Sequence, residues 1–230
     1  MKYHYILLDA DNTLFDFDSA EHLALLGALG AIGIDAPPET EALYRRCNAP
    51  LWEAFHRGEI TQDFLTTERF RLLLDKLGIA GDPAAVNEDY LRRLGECSLL
   101  LPGALDLVTA LAPHATLAVV TNGISSVQKS RFVDCPITPY LSGIFVSQEI
   151  GCGKPAAAFF DPVCRQLGIT DRRTAVVVGD SPASDLQGAQ NAGMDSIYFA
   201  PGGEESPLAT YTARSFSEIL TYLLGESTHE

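Results

Sequence analysis

The chain has 230 residues, of which 47% are hydrophobic and 20% charged. That is enough apolar material for one large domain, or a domain with an insert, and it excludes wholesale disorder, collagen and coiled coil. Thirty acidic residues against sixteen basic ones give a formal charge of −14, a surface that repels nucleic-acid phosphates and anionic lipid. Neither a nucleic-acid polymer nor a membrane is therefore expected as a partner, and an anionic substrate would need a local device such as a metal ion or one aimed lysine. The five cysteines are an odd number without a C-x-x-C pair, which suits a reducing cytoplasm better than a disulfide framework or a zinc site. The longest uncharged apolar stretch, residues 23–34, has 12 residues, short of the roughly 20 that a bilayer span needs. Asp9 interrupts any signal-peptide core, so the expectation is a soluble, unexported, cytoplasmic protein.

Tyr5-Ile6-Leu7-Leu8 is an apolar run that ends in Asp9-Ala10-Asp11-Asn12-Thr13. It predicts a buried strand that delivers two carboxylates to its C-terminal tip. Residues 16–96 contain no convincing strand but four amphipathic helical stretches: 19–33, 39–58, 62–77 ended by Gly78, and 83–94. About 80 helical residues between the first and second strands exceed an ordinary crossover, so they are assigned to an inserted helical subdomain. A helix over 105–111 then precedes the run Leu117-Ala118-Val119-Val120, which leads into Thr121-Asn122-Gly123, and a helix over 125–133 follows. A weaker strand at 143–146, a helix over 157–167 with Gly168 as its stop, and the run Ala175-Val176-Val177-Val178 ahead of Gly179-Asp180-Ser181-Pro182 continue the alternation. A helix over 186–192, a strand at 196–199 and a closing helix announced by the capping-box pair Ser215 and Glu218 complete the chain, with residues 226–230 expected to fray. Continuous β-branched runs alternating with helices indicate an α/β fold: a Rossmann-like, doubly wound parallel sheet with an inserted all-helical cap. The core is expected over 1–15 and 97–230, the cap over 16–96.

Four local patterns could carry chemistry. Asp9 and Asp11, i and i+2 on extended chain, would crowd two carboxylates where open α/β sheets bind ligands, shifting their proton affinities apart and attracting a divalent cation. Asp180, at another strand tip, would add a third carboxylate if the two strands are neighbours, with Asp185 one helical turn further on. Thr121 and the amides after it, opening a helix, can hold an anionic oxygen. Lys154, one of four lysines, has a stiff base between Gly153 and Pro155 from which to aim a point charge. Taken singly, each pattern also fits a helix cap, an Asx turn or a plain turn. Taken together, three of them lie at strand tips that a parallel sheet gathers on one edge. They then supply a nucleophile, an acid/base, an anion holder, a counter-charge and metal ligands, which is the set needed for phosphoryl transfer.

In this order the motifs resemble those of a haloacid dehalogenase (HAD) superfamily phosphatase. Asp9-Ala-Asp11-Asn-Thr13 matches the first motif, Thr121-Asn122-Gly123 the second, Lys154-Pro155 the third, and Gly179-Asp180 through Asp185 the fourth. Dehalogenases proper lack the second carboxylate of the first motif, so Asp11 argues for phosphate-ester cleavage. The stretches Cys47-Asn48-Ala49-Pro50-Leu51-Trp52, Gly58-Glu59-Ile60-Thr61 and Arg69-Phe70 are similar to the helical cap of the pyrimidine 5′-nucleotidase branch. The segment Cys135-Pro136-Ile137-Thr138-Pro139 departs from the loop usual before the third strand.

The resemblance implies a Mg²⁺-dependent phosphomonoester hydrolase working through an aspartyl-phosphate, most simply a 5′-nucleotidase on pyrimidine nucleoside monophosphates. Asp9 would be the nucleophile and Asp11 the general acid and base. Thr121, Asn122 and Lys154 would hold the phosphate. Asp9, Asp180 and the backbone carbonyl of Asp11 would hold the metal. Asp185 and Thr13 would act from behind these groups, Asp185 by orienting Lys154 or a metal-bound water, and Phe17, Trp52 and His56 are the candidates to reach the substrate from the cap, where Trp52 fits the cap core as well. The partner is then a small phosphorylated metabolite, met by a monomer or small homo-oligomer. The alternatives are a phosphatase or phosphotransferase of the same fold on sugar phosphates or phosphoglycolate and, more distantly, a non-catalytic phosphate-binding module.

Overall fold

In the computed structural model, residues 2–225 are described, and the fraying expected for 226–230 lies outside them. The chain divides into two compact units, residues 1–17 with 98–230 and residues 18–97.

The first unit is built on six parallel strands: β1 (Tyr5–Leu8), β2 (Thr116–Thr121), β3 (Leu141–Val146), β4 (Ala175–Gly179), β5 (Asp195–Phe199) and β6 (Tyr211–Ala213). Their order is β3-β2-β1-β4-β5-β6, the doubly wound arrangement whose direction of winding reverses at the central strand. Register fixes the site. Leu8 stands opposite Val119 on one side and Val178 on the other, so the chain leaves β1, β2 and β4 along one edge.

Alternate residues of β1, β2 and β4 enter opposite cores, as a period of two requires. Ile6 and Leu8 join Val119, Val176 and Val178 beneath α5 (Ala104–Leu111) and α10 (Phe216–Leu224). Leu7 joins Ala118, Val120 and Val177 beneath α8 (Phe160–Leu167) and α9 (Gln187–Ala192). Burial on both faces explains why these strands read as unbroken apolar runs, and each such Leu or Val contributes about 1.5–3 kcal/mol of transfer free energy. The other helices of this unit are α6 (Ser125–Phe132) and a single turn, α7 (Ser147–Ile150). The departing loop before β3 forms a 3₁₀ turn over Thr138–Tyr140 that leads directly into the strand. Ser215 Oγ accepts from the Glu218 N–H at 3.2 Å, while the Glu218 carboxylate accepts from Arg214 N–H at 2.7 Å, one residue earlier than a standard capping box.

The second unit contains α1 (Phe17–Ala31), which begins at its edge, α2 (Thr40–His56), α3 (Gln62–Leu77) and α4 (Pro83–Glu96). Thr61 caps α3, whose end is Gly78 in the left-handed region, and Asp82 followed by Pro83 opens α4. The unit packs around Tyr44, Phe70 and Tyr90, whose ring centroids lie 5.2–5.9 Å apart. The Arg69 guanidinium is buried against Tyr90, 4.7 Å from the ring centroid. No helix of the described residues is long and apolar enough to cross a membrane.

Candidate active site

Asp9 is the first residue past β1, and its N–H still bonds to the Val178 carbonyl at 2.9 Å. Strand geometry therefore extends one residue beyond the hydrophobic run and carries the carboxylate to the edge of the sheet. The chain then turns back on itself. Asn12 adopts a left-handed φ of 56°, a conformation that Asn tolerates better than most residues, and the N–H groups of Leu14 and Phe15 both return to the Ala10 carbonyl at 2.9 Å.

Lys154 is buried, and its ammonium has three oxygen partners: Asp9 Oδ1 and Asp185 Oδ1 at 2.6 Å each, and the Val120 carbonyl at 2.7 Å. Three acceptors match the three protons of an ammonium. The lysine's backbone is held just as firmly, since Asn122 Oδ1 accepts from its N–H at 2.9 Å and Asn122 Nδ2 donates to its carbonyl at 2.7 Å. Asn122 thus presents Lys154 with its side chain. Thr121, also buried, accepts from the Gly123 N–H at 3.0 Å, which ties the start of the turn after β2.

On the other side of β1, Ser181 caps a single π turn over Pro182–Leu186, and that turn swings Asp185 back under the strand end. Asp185 is wholly buried, with one oxygen on Lys154 and the other accepting from the Ser181 N–H at 3.0 Å. Asp180 accepts from the hydroxyl of Thr13 at 3.3 Å. One carboxylate oxygen of each of Asp9, Asp180 and Asp185 lies within 4.8 Å of the others.

Three carboxylates around one ammonium leave an excess of negative charge in a poorly solvated place. Burial, then Asp185, push the Asp9 carboxyl well above its usual range despite the opposing pull of Lys154. Burial, then Asp185, also raise Asp180 to about 7. Burial disfavours the Lys154 ammonium, but Asp185 and Asp9 outweigh it and its pKa is raised. A cluster of hard oxygen donors whose ionisation is opposed by its own crowding fits a divalent cation such as Mg²⁺. Asp185 belongs to this cluster, although the ligands that the family resemblance implies are Asp9, Asp180 and the carbonyl of Asp11. With both its oxygens engaged, it serves Lys154 and the turn after Asp180.

The Asp11 side chain lies outside the acidic cluster. Gln128 Nε2 donates to its Oδ2 at 2.9 Å, and the buried Arg131 guanidinium donates to its Oδ1. Neither α6 residue stands out in the sequence. The i, i+3 spacing that places both on one helical face is their only local signal. Three glycines also go unread in the sequence as site residues. A Cβ at Gly179 would lie 2.3 Å from Asp185 Cγ, one at Gly153 2.6 Å from Asn122 Oδ1, and one at Gly123 2.3 Å from Gln128 Nε2. Each leaves room for one side chain of this site. In the helical unit, Trp52 stands on α2 with its ring edge-on to Phe55 at 5.7 Å; Phe17 is the first residue of α1. The His56 side chain lies outside the described residues.

The chain is similar to known proteins over nearly its whole length. The profile of the haloacid dehalogenase-like hydrolases matches residues 3–193. The chain is 33% identical to the HAD-hydrolase YfnB of Bacillus subtilis over 99% of its own length and 98% of the relative's. It is 32% identical to the pyrimidine 5′-nucleotidase YjjG of Escherichia coli, covering 95% and 97%, and 30% identical to the pyrimidine 5′-nucleotidase PynA of Streptococcus pneumoniae, covering 97% and 96%. A crystal structure of YfnB bound to magnesium superimposes with a TM-score of 0.91 over 97% of this chain and 99% of that one. With parallel sheet, motif order and full-length similarity in agreement, the chain belongs to the haloacid dehalogenase-like hydrolases.

Proposed function

We propose that this hydrolase is a Mg²⁺-dependent phosphatase that forms an aspartyl-phosphate on Asp9 and acts on pyrimidine nucleoside 5′-monophosphates. The observation that carries the chemistry is the Lys154 ammonium, held 2.6 Å from both Asp9 and Asp185 beside the Asp180 carboxylate. A carboxylate nucleophile approaching a phosphate dianion meets repulsion, and a fixed ammonium next to it offsets that repulsion without reorganisation. Asp9, Asp180 and the Asp11 carbonyl would hold Mg²⁺, which when bound supplies further charge neutralisation around the phosphate.

The protein's own groups then divide the work. Asp9 attacks phosphorus, so that an oxygen–phosphorus bond forms as the bond to the leaving 5′-oxygen breaks, and Asp11 gives that oxygen a proton. A water hydrolyses the acyl phosphate, returning the proton to Asp11 and phosphate to solvent. Thr121, the Asn122 backbone amide and Lys154 hold the equatorial oxygens. Asp185 keeps the lysine aimed, and Thr13 steadies Asp180 through its hydroxyl.

The preference for nucleotides rests on similarity to YjjG and PynA across nearly the whole chain, with Phe17, Trp52 and His56 assigned to the nucleoside. A panel of UMP, dUMP and dTMP against phosphoglycolate and hexose phosphates, each with Mg²⁺ and with EDTA, tests it. The reading expects the highest kcat/KM on the pyrimidine nucleotides and no turnover in EDTA. Preference for a sugar phosphate would replace the substrate, and full metal-free activity would remove the cation.

A further inference from the structure

We propose that Gln128 and Arg131 are positioning residues that hold the Asp11 carboxylate at two points and so orient the proton donor of the reaction. The inference rests on Asp11 being that donor. Each Asp11 oxygen has its own partner, Oδ2 the Gln128 amide at 2.9 Å and Oδ1 the Arg131 guanidinium. A carboxyl group offers about four hydrogen-bonding positions, so two donors fix its plane and leave one position on each oxygen, where the proton that Asp11 gives to the leaving group or takes from water can sit. The Asp11 side chain keeps a quarter of its surface exposed while Arg131 has none, so the grip comes from the protein side and the open side faces outward.

Stability alone is a weak account of these residues. Arg131 is fully buried, with its guanidinium 4.1 Å from the Phe15 ring centroid and its backbone carbonyl accepting from Ser98 Oγ at 2.9 Å. A buried ion pair is often no better for stability than apolar residues of similar volume. Gln128 is buried too, and its Oε1 has no hydrogen-bond partner among the described residues, a cost borne while its Nε2 serves Asp11. Gly123, part of the second motif, has no room for a Cβ because Gln128 Nε2 would be 2.3 Å away. The path of the amide to Asp11 therefore runs through the motif itself.

The test compares Gln128→Ala, Arg131→Met and Arg131→Lys on two esters, p-nitrophenyl phosphate, whose leaving group needs little protonation, and UMP, whose alkoxide needs it fully. General-acid assistance is worth about 10²–10⁴-fold. The clamp predicts that Gln128→Ala and Arg131→Met lower kcat on UMP by about tenfold or more with KM within about twofold, and change the single-turnover release of nitrophenolate, which precedes the water step that Asp11 serves for every ester, by less than about threefold. Arg131→Lys should recover part of the loss. In an Asp11→Asn background the same substitutions should have almost no further effect, because what they orient is gone. Equal losses in UMP turnover and in single-turnover nitrophenolate release, or losses that multiply with Asp11→Asn, would mark the pair as merely structural and overturn the inference. Gln128→Ala carries the test if Arg131→Met fails to fold. Should Asp11→Asn itself spare UMP turnover, the donor assignment falls and the clamp with it. If Asp11→Asn impairs UMP turnover and the clamp variants do not, only the clamp is lost.

Discussion

Gly179 and Asp185 occupy nearly the same space: a methyl group on the glycine would sit 2.3 Å from the aspartate's Cγ and Oδ2. The last residue of β4 is therefore bare so that the carboxylate behind Lys154 can fold back under the strand. Gly179→Ala should displace Asp185, cost about 1–3 kcal/mol as an overpacked core site, and lower kcat by loosening the lysine. Gly30→Ala, in the exposed last turn of α1 with nothing within 4 Å, should raise stability by about 0.5–1 kcal/mol. Chemical denaturation read for both variants checks the opposite signs. An active and equally stable Gly179→Ala protein would refute the steric account.

Asp9→Asn removes the nucleophile with almost no change of shape. Turnover should fall by about 10³-fold or more. Because burial and Asp185 oppose ionisation of Asp9, thermal stability should hold or rise. Activity surviving within about tenfold would exclude Asp9 as the attacking group.

Lys154→Met takes away the one ammonium among the carboxylates. The rate should drop by about 10²–10³-fold, and stability should fall by several kcal/mol because Asp9 and Asp185 are left buried without their partner. Lys154→Arg should not rescue it, since a planar fork cannot satisfy three oxygens arranged around a single nitrogen. Rescue by arginine would mean that charge alone matters.

The metal-free protein should lose stability as pH rises from about 4 to about 7. Burial, and then Asp185, raise the folded pKa of Asp180 to about 7, so across this window the folded state binds more protons than the unfolded one. Its stabilising share is full below the unfolded pKa and gone above the folded one. Melting in EDTA across the range, wild type minus Asp180→Asn, isolates the effect. Added Mg²⁺ should stabilise the wild type more at pH 8 than at pH 5, since the cation then meets an ionised site. A difference curve that is flat, or that rises with pH, would contradict the crowding.

Much of this molecule is legible from residue order, because its causes are local. Val176-Val177-Val178 reads as a buried strand since both faces enter a core, and Gly78 reads as a helix stop since the left-handed region favours it. The three residues of β6 are too few for a pattern, and the first turn of the expected helix over 157–167 tightens to 3₁₀ before α8 begins. In the site, Asp9, Asp180 and Lys154 announce themselves as motif residues. Gln128 and Arg131 do not, because their meaning depends on Asp11, 117 and 120 positions away. The three tight glycines sit in or beside the motifs, but the steric reason for each is not legible there: what excludes a side chain is another side chain delivered by the tertiary fold.

The central place of β1 in the sheet has a consequence for synthesis. The strand that carries Asp9 leaves the ribosome before both of its neighbours, β2 and β4, which follow about 110 and 170 residues later. Until both have emerged, the nascent chain exposes an apolar segment with at least one open edge, and such long-range pairings are slow to close. Translation arrested anywhere before β4 would thus release a product lacking Asp180 and Asp185 and prone to aggregate through its first strand.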